Sequence, residues 1–202
     1  MLDHFRTHDK QLFAQLEVIT GRLVEAAALL HLLLSGSADD AATTAAAARS
    51  LDLSELGTGT VDVREFTAYA MRLDNVGFRN LALSLDAAFE SVQAATAHAH
   101  SLDAANAAPP LRALAALLVE AATMLRLHVP QAGRHGASPA TGGDASDLLE
   151  RGDALYYDGI GALFAGASDP TDTLRWKDVY DAVHKALVRC VEAAGGLSRL
   201  VR

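Results

Sequence analysis

From Trp176 to Leu200 the chain reads WKDVYDAVHKALVRCVEAAGGLSRL. Trp176, Val179, Val183, Ala186, Cys190, Ala193, Leu197 and Leu200 recur in steps of three and four, which stacks them on one face of a helix. The spacing predicts a long amphipathic helix with that face buried. Just ahead of it, Asp169-Pro170-Thr171-Asp172 supplies a capping carboxylate and a proline suited to a first turn. The same spacing recurs upstream in Leu12, Leu16, Ile19, Leu23, Ala26, Leu30 and Leu33. It recurs again in Phe78, Leu81, Leu85, Ala88, Val92, Ala95 and Ala99, and in Leu111, Leu114, Leu118, Ala121 and Leu125. Four such stripes predict an all-α fold packed as a left-handed helical bundle.

Composition agrees. Half of the 202 residues are hydrophobic but only 5% are aromatic, and alanine and leucine dominate the apolar count. Small side chains of high helix propensity favour closely packed helices over a β-sandwich. The 17 basic and 25 acidic residues leave a net charge of -8 without a basic cluster, which argues against nucleic acid as a partner. A single cysteine, Cys190, excludes a disulfide framework and a multi-cysteine zinc site. His4, Arg6, Asp9 and Lys10 interrupt any leader-like apolar run, and Arg112, Glu120 and Arg126 interrupt the greasiest stretch, Leu111 to Val129. The expectation is a soluble, cytoplasmic helical protein.

Punctuation sets the remaining boundaries. Gly36 ends the first helix, Pro109-Pro110 opens the one before the middle glycines, and Pro130 is expected to close it. Residues 130–143, with four glycines and Pro139, are expected to form a flexible linker. Between Ala38 and Ala70, Gly57-Thr58-Gly59-Thr60 cuts an alanine run and Val61-Asp62-Val63 alternates briefly like a strand; a distorted helix, or a helix with an inserted loop, is expected.

A repeat links the two ends of the chain. Leu23-Val24-Glu25-Ala26-Ala27 recurs as Leu118-Val119-Glu120-Ala121-Ala122, and the Phe78–Ala99 stripe superposes on Trp176–Leu197 without a slip. Two matches in the same order predict a pseudo-duplicated molecule with halves at 1–105 and 106–202, each a three-helix unit.

These residues also carry a family resemblance. Leu174-Arg175-Trp176-Lys177-Asp178-Val179-Tyr180-Asp181, continuing to Ala186-Leu187-Val188-Arg189-Cys190, resembles the C-terminal helix of PhoU-like proteins. Asp153-Ala154-Leu155-Tyr156 and Leu163-Phe164-Ala165-Gly166 resemble the preceding helix and its exit. Phe13, Leu16, Glu17, Val24 to Ala27 and Leu29-Leu30 resemble the first helix. The subgroup it resembles accompanies Pit-type phosphate permeases. The resemblance implies two tandem three-helix bundles and control of phosphate uptake through contact with a membrane transporter, peripheral to the inner membrane.

It also implies acidic motifs that in some members bind iron or another metal, through carboxylates four residues apart on one helical face. Here Asp86 and Glu90 keep that spacing, but Ala87 and Gln93 stand where further acids are expected. Asp153 is retained beside Leu149 and Arg151, and His184 stands near Val188 and Lys185. Asp86, Glu90, Asp153 and His184 are therefore the candidate ligands for one divalent metal or iron ion, against a favoured reading as a solvated acidic face.

Of the other histidines, His4 and His8 sit near the terminus, His98 and His100 near a helix end, and His31 and His128 beside apolar stripes. Cys190 falls on a buried stripe and is expected to be an inert thiol. Gly152, Gly159 and Gly161 are expected to serve close helix approach. No enzyme signature is present. A binding protein is expected, with a homodimer suited to its alanine-rich faces; the alternatives are a metal-buffering bundle and a general helical adaptor.

Overall fold

In the computed structural model the apolar stripes become helices. It describes residues 2–36, 63–72, 76–102, 107–135, 142–166 and 169–200. Among these are six helices and no strand: α1 (Leu2–Ser35), α2 (Val63–Ala70), α3 (Val76–His100), α4 (Pro109–His135), α5 (Gly142–Ala165) and α6 (Pro170–Leu200). The stripe residues of α1, α3 and α4 are all buried, as are Val179, Val183, Ala186, Cys190, Ala193 and Leu197 of α6. Trp176 is the partial exception: it is half-buried against the core edge, whereas its repeat counterpart Phe78 is buried and meets Phe13 edge-on at 5.8 Å.

Helices matched by the sequence repeat pack against each other. The α3–α6 pair is the most extensive in the molecule, followed by α1–α4. Both pairs join the first half of the chain to the second. α6 also packs on α4 and α5, α5 on α4, and α3 on α1 and α2. All six helices contribute to one apolar cluster, from Leu12 on α1 through Phe66 on α2 to Leu197 on α6. Because helices gain most of their stability from such faces, the seams between α1 and α4 and between α3 and α6 carry the fold. Leu12–Ser35 and Pro109–Ala132 are long and apolar enough to cross a membrane by length and composition alone. These are the stretches whose stripes lie in the shared core.

Helix ends follow their local chemistry. Gly36 leaves α1 with φ of 59°, the left-handed geometry that glycine adopts without strain. Asp169 caps α6: its Oδ1 accepts the Thr171 N–H at 2.8 Å, and its carbonyl accepts Thr173 Oγ1 at 2.7 Å.

Pro130 does not close its helix. α4 runs on to His135 with Pro130 inside it, because Leu125, Val129 and Ala132 continue the buried stripe across the proline. Burying that face outweighs one missing N–H, a defect of about 3 kcal/mol in an exposed helix. The expected linker shrinks accordingly, since 131–135 belong to α4 and α5 already starts at Gly142; 136–141 lie outside the described residues. Within the stretch from Ala38 to Ala70, residues 63–70 form α2, with Phe66 and Ala70 buried, so Val63 opens a helix rather than extending a strand. The rest of that stretch, with Gly57 to Thr60, lies outside the described residues.

Candidate functional site

A connected set of polar side chains lies along the α5–α6 seam. α6 has two working faces. One is its apolar stripe; the other carries Lys177, Asp181 and His184, spaced four and three apart and turned toward α5. α5 answers with Asp153, Tyr156 and Tyr157. Two glycines let the helices meet. A Cβ at Gly152 would collide with Leu187 Cδ2, and one at Gly159 would collide with the ring of Tyr180. Close approach accounts for these two but not for Gly161, where a Cβ would meet nothing within 4 Å.

The side chains form a connected row. His184 Nε2 lies 2.7 Å from Asp153 Oδ1, and the imidazole stacks on Tyr156 with centroids 4.5 Å apart and planes 23° apart. Tyr156 donates its hydroxyl proton to Asp181 Oδ1 at 2.8 Å. Lys177 Nζ donates to the other oxygen, Asp181 Oδ2, at 2.5 Å. Tyr157 packs edge-on against Tyr156 at 5.3 Å. The pairings 153 with 184 and 156 with 181 fix α5 and α6 as antiparallel and set their register.

Electrostatics follow from this geometry. Burial, then the hydrogen bond to Asp181, pushes the Tyr156 hydroxyl above its ordinary range. The hydrogen bond to Asp181 pushes the Lys177 ammonium upward as well. Tyr156 therefore stays protonated and Lys177 stays charged at neutral pH, with both Asp181 oxygens occupied. Behind this row, burial raises Tyr180, whose hydroxyl lies beside the Leu111 amide. That amide already donates to the Ala108 carbonyl at 3.0 Å, and the Tyr180 hydroxyl makes no hydrogen bond among the described residues. Burial pushes the Cys190 thiol up to about 12, in keeping with an inert thiol.

The structure brings together two of the four candidate ligands. Asp153 and His184 are hydrogen-bonded to each other across the seam. Asp86 and Glu90 sit a turn apart on α3, Asp86 half-buried and Glu90 exposed. Among the described residues no three His, Cys, Asp or Glu side chains come together to hold a metal, so the four do not assemble into one ligand set. Arg151, at a position the resemblance made acidic, reaches Glu120 and Asp147 at 3.4 Å each. His98 and His100 are exposed in the last turn of α3; the side chains of His4 and His8 lie outside the described residues.

Tyr156, Lys177 and Asp181 are the site residues that sequence reasoning missed. The Lys177–Asp181 spacing was visible as an ordinary ion pair along one helix. Its junction with Tyr156 depends on the register between α5 and α6, which no local spacing encodes. Compared with models of known protein families and with curated proteins, the chain matches none.

Proposed function

We propose that the chain is a PhoU-like accessory regulator of inorganic phosphate transport, built as two tandem three-helix bundles and acting by contact with a Pit-type permease. One observation carries this reading: the helices equated by the sequence repeat, α1 with α4 and α3 with α6, pair with each other in space. A doubled helical unit is in keeping with the two tandem three-helix bundles that the resemblance implies. The α5–α6 row adds support, since Asp153, Tyr156, Lys177 and Asp181 belong to the segments that carry the resemblance. There they close a seam by binding one another, a structural duty that leaves the outer surfaces for recognition. In this reading the protein is cytoplasmic, reaches the inner membrane through its partner, and forms a homodimer.

Phosphate import decides the matter. In a strain lacking this chain, uptake of labelled phosphate through the permease should change, and the chain should co-purify with that permease from detergent extracts. Unchanged import together with no association would overturn the phosphate reading and leave a helical adaptor of another pathway.

A further inference from the structure

We propose that the outward face of the α5–α6 hairpin, centred on Tyr157, Phe164 and Leu174, docks a basic amphipathic segment of a partner protein. The three side chains are 69%, 51% and 56% exposed, and it is their grouping on one hairpin that sets them apart from single exposed apolar residues such as Leu127. Tyr157, Gly161 and Phe164 are spaced four and three apart, so they share one face of α5. Gly161, between the two aromatics, is exposed and opens onto free space, which lets a partner's backbone approach α5 closely. The antiparallel register set by 153 with 184 and 156 with 181 brings the end of α5, with Phe164, beside the start of α6, with Leu174.

Charge selects the occupant. From Asp153 to Asp181 the hairpin carries six aspartates against Arg175 and Lys177 alone. Both cations are already engaged, Arg175 with Asp172 at 3.6 Å and Lys177 with Asp181. Asp158, next to Tyr157, and Asp178, one turn beyond Leu174, are exposed and make no ion pair among the described residues. An apolar centre with an acidic rim repels nucleic-acid phosphates, anionic lipid headgroups and a second copy of a chain with net charge -8. It complements a segment with one or two aliphatic or aromatic anchors flanked by Lys or Arg. Cytoplasmic loops of membrane proteins are enriched in such cations. Assigning the segment to the permease rests on the function proposed above; the surface itself does not.

Fluorescence anisotropy with the full chain tests this. The probes are a labelled Lys/Leu/Trp amphipathic peptide, the same peptide with Glu for Lys, and overlapping peptides covering the cytoplasmic loops of the permease. The cationic peptide should bind and the anionic one should not. The double substitution Tyr157→Ser with Phe164→Ser should weaken binding about tenfold or more. Asp158→Asn with Asp178→Asn should weaken it severalfold at low salt and flatten its salt dependence. Leu127→Ser, at a 61% exposed position on α4, should leave it unchanged. Binding indifferent to both double substitutions, or lowered equally by Leu127→Ser, overturns the surface. So does a dimer that Tyr157→Ser with Phe164→Ser dissociates, since the face would then belong to a second copy. The two readings separate cleanly. Cationic-peptide binding at this face with no response from any loop peptide upholds the surface and counts against the permease; loop binding untouched by the substitutions does the reverse.

Discussion

α6 presents one face to α3 and another to α5, and the two are built on different chemistry. Toward the core, Val183, Ala186, Cys190 and Ala193 form a stripe of small apolar side chains, each fully buried. Toward α5, Lys177, Asp181 and His184 join Asp153 and Tyr156 in a row of hydrogen bonds at the half-exposed edge. The first face is held by area removed from water, which is non-directional and tolerates alternative partners. The second is held by groups that bond only at one register. An apolar seam tells helices to pack; a polar seam tells them where to stop.

If that division is right, perturbations of the core face should be the larger. The strongest concerns Cys190. Its thiol is raised from 9.0 to about 12 in the folded chain, so folding favours the protonated form. That contribution is fully present below pH 9 and is lost as pH rises toward 12, about 4 kcal/mol over the window. Urea unfolding of the wild type and Cys190→Ala between pH 8 and 11 checks it; the alanine variant should lose stability with pH less steeply. Equal slopes would place the thiol outside the core. Leu85→Ala, at a fully buried stripe position of α3, should lower stability by about 3 kcal/mol through transfer and cavity terms. A loss below about 1 kcal/mol would mean that the α3–α6 seam is loose.

The α5–α6 seam should respond more weakly, and in both directions. At Gly159 an added methyl meets the fully buried Tyr180 ring, which has nowhere to swing, and Gly159→Ala should destabilise by about 1–3 kcal/mol. Gly161→Ala meets nothing and should stabilise by about 0.5–1 kcal/mol. Thermal melts of the pair therefore sharpen the comparison, since two glycines two residues apart should change sign. Tyr156→Phe removes one hydrogen bond to a half-exposed carboxylate and should cost about 1 kcal/mol. With it should go part of the alkaline instability, because the raised Tyr156 contributes stability below pH 10 that is lost above it. Smallest of all, a double-mutant cycle over Asp153→Asn and His184→Gln should give a coupling of about 0.5 kcal/mol at neutral pH, as for pairs open to solvent on one side.

The core was legible because its signal is periodic. Every position of the α1, α3 and α4 stripes that spacing assigned to the interior is buried, and Gly36 and Asp169 mark helix ends by chemistry local to a few residues. Pro130 shows the limit of local rules. Alone it predicts a stop, but Val129 and Ala132 belong to a face already committed to the core, and tertiary burial overrides the breaker. The metal reading shows a second limit. Spacing pairs Asp86 with Glu90 along one helix, yet whether Asp153 and His184 join them depends on how separate helices meet, and among the described residues no three such side chains come together.

By itself, then, the amino-acid order determined the helical class, the buried stripes and the doubled pattern, since each depends on residues within a few turns of one another. The packing of repeat-matched helices across the two halves was decided only in three dimensions. So were the junction of Tyr156 with Asp181 and the exposure of Tyr157 and Phe164 on one hairpin face. The reason is the same for all three: a helix's periodicity says which side is greasy, while register and partner are set by how side chains from distant segments fit together.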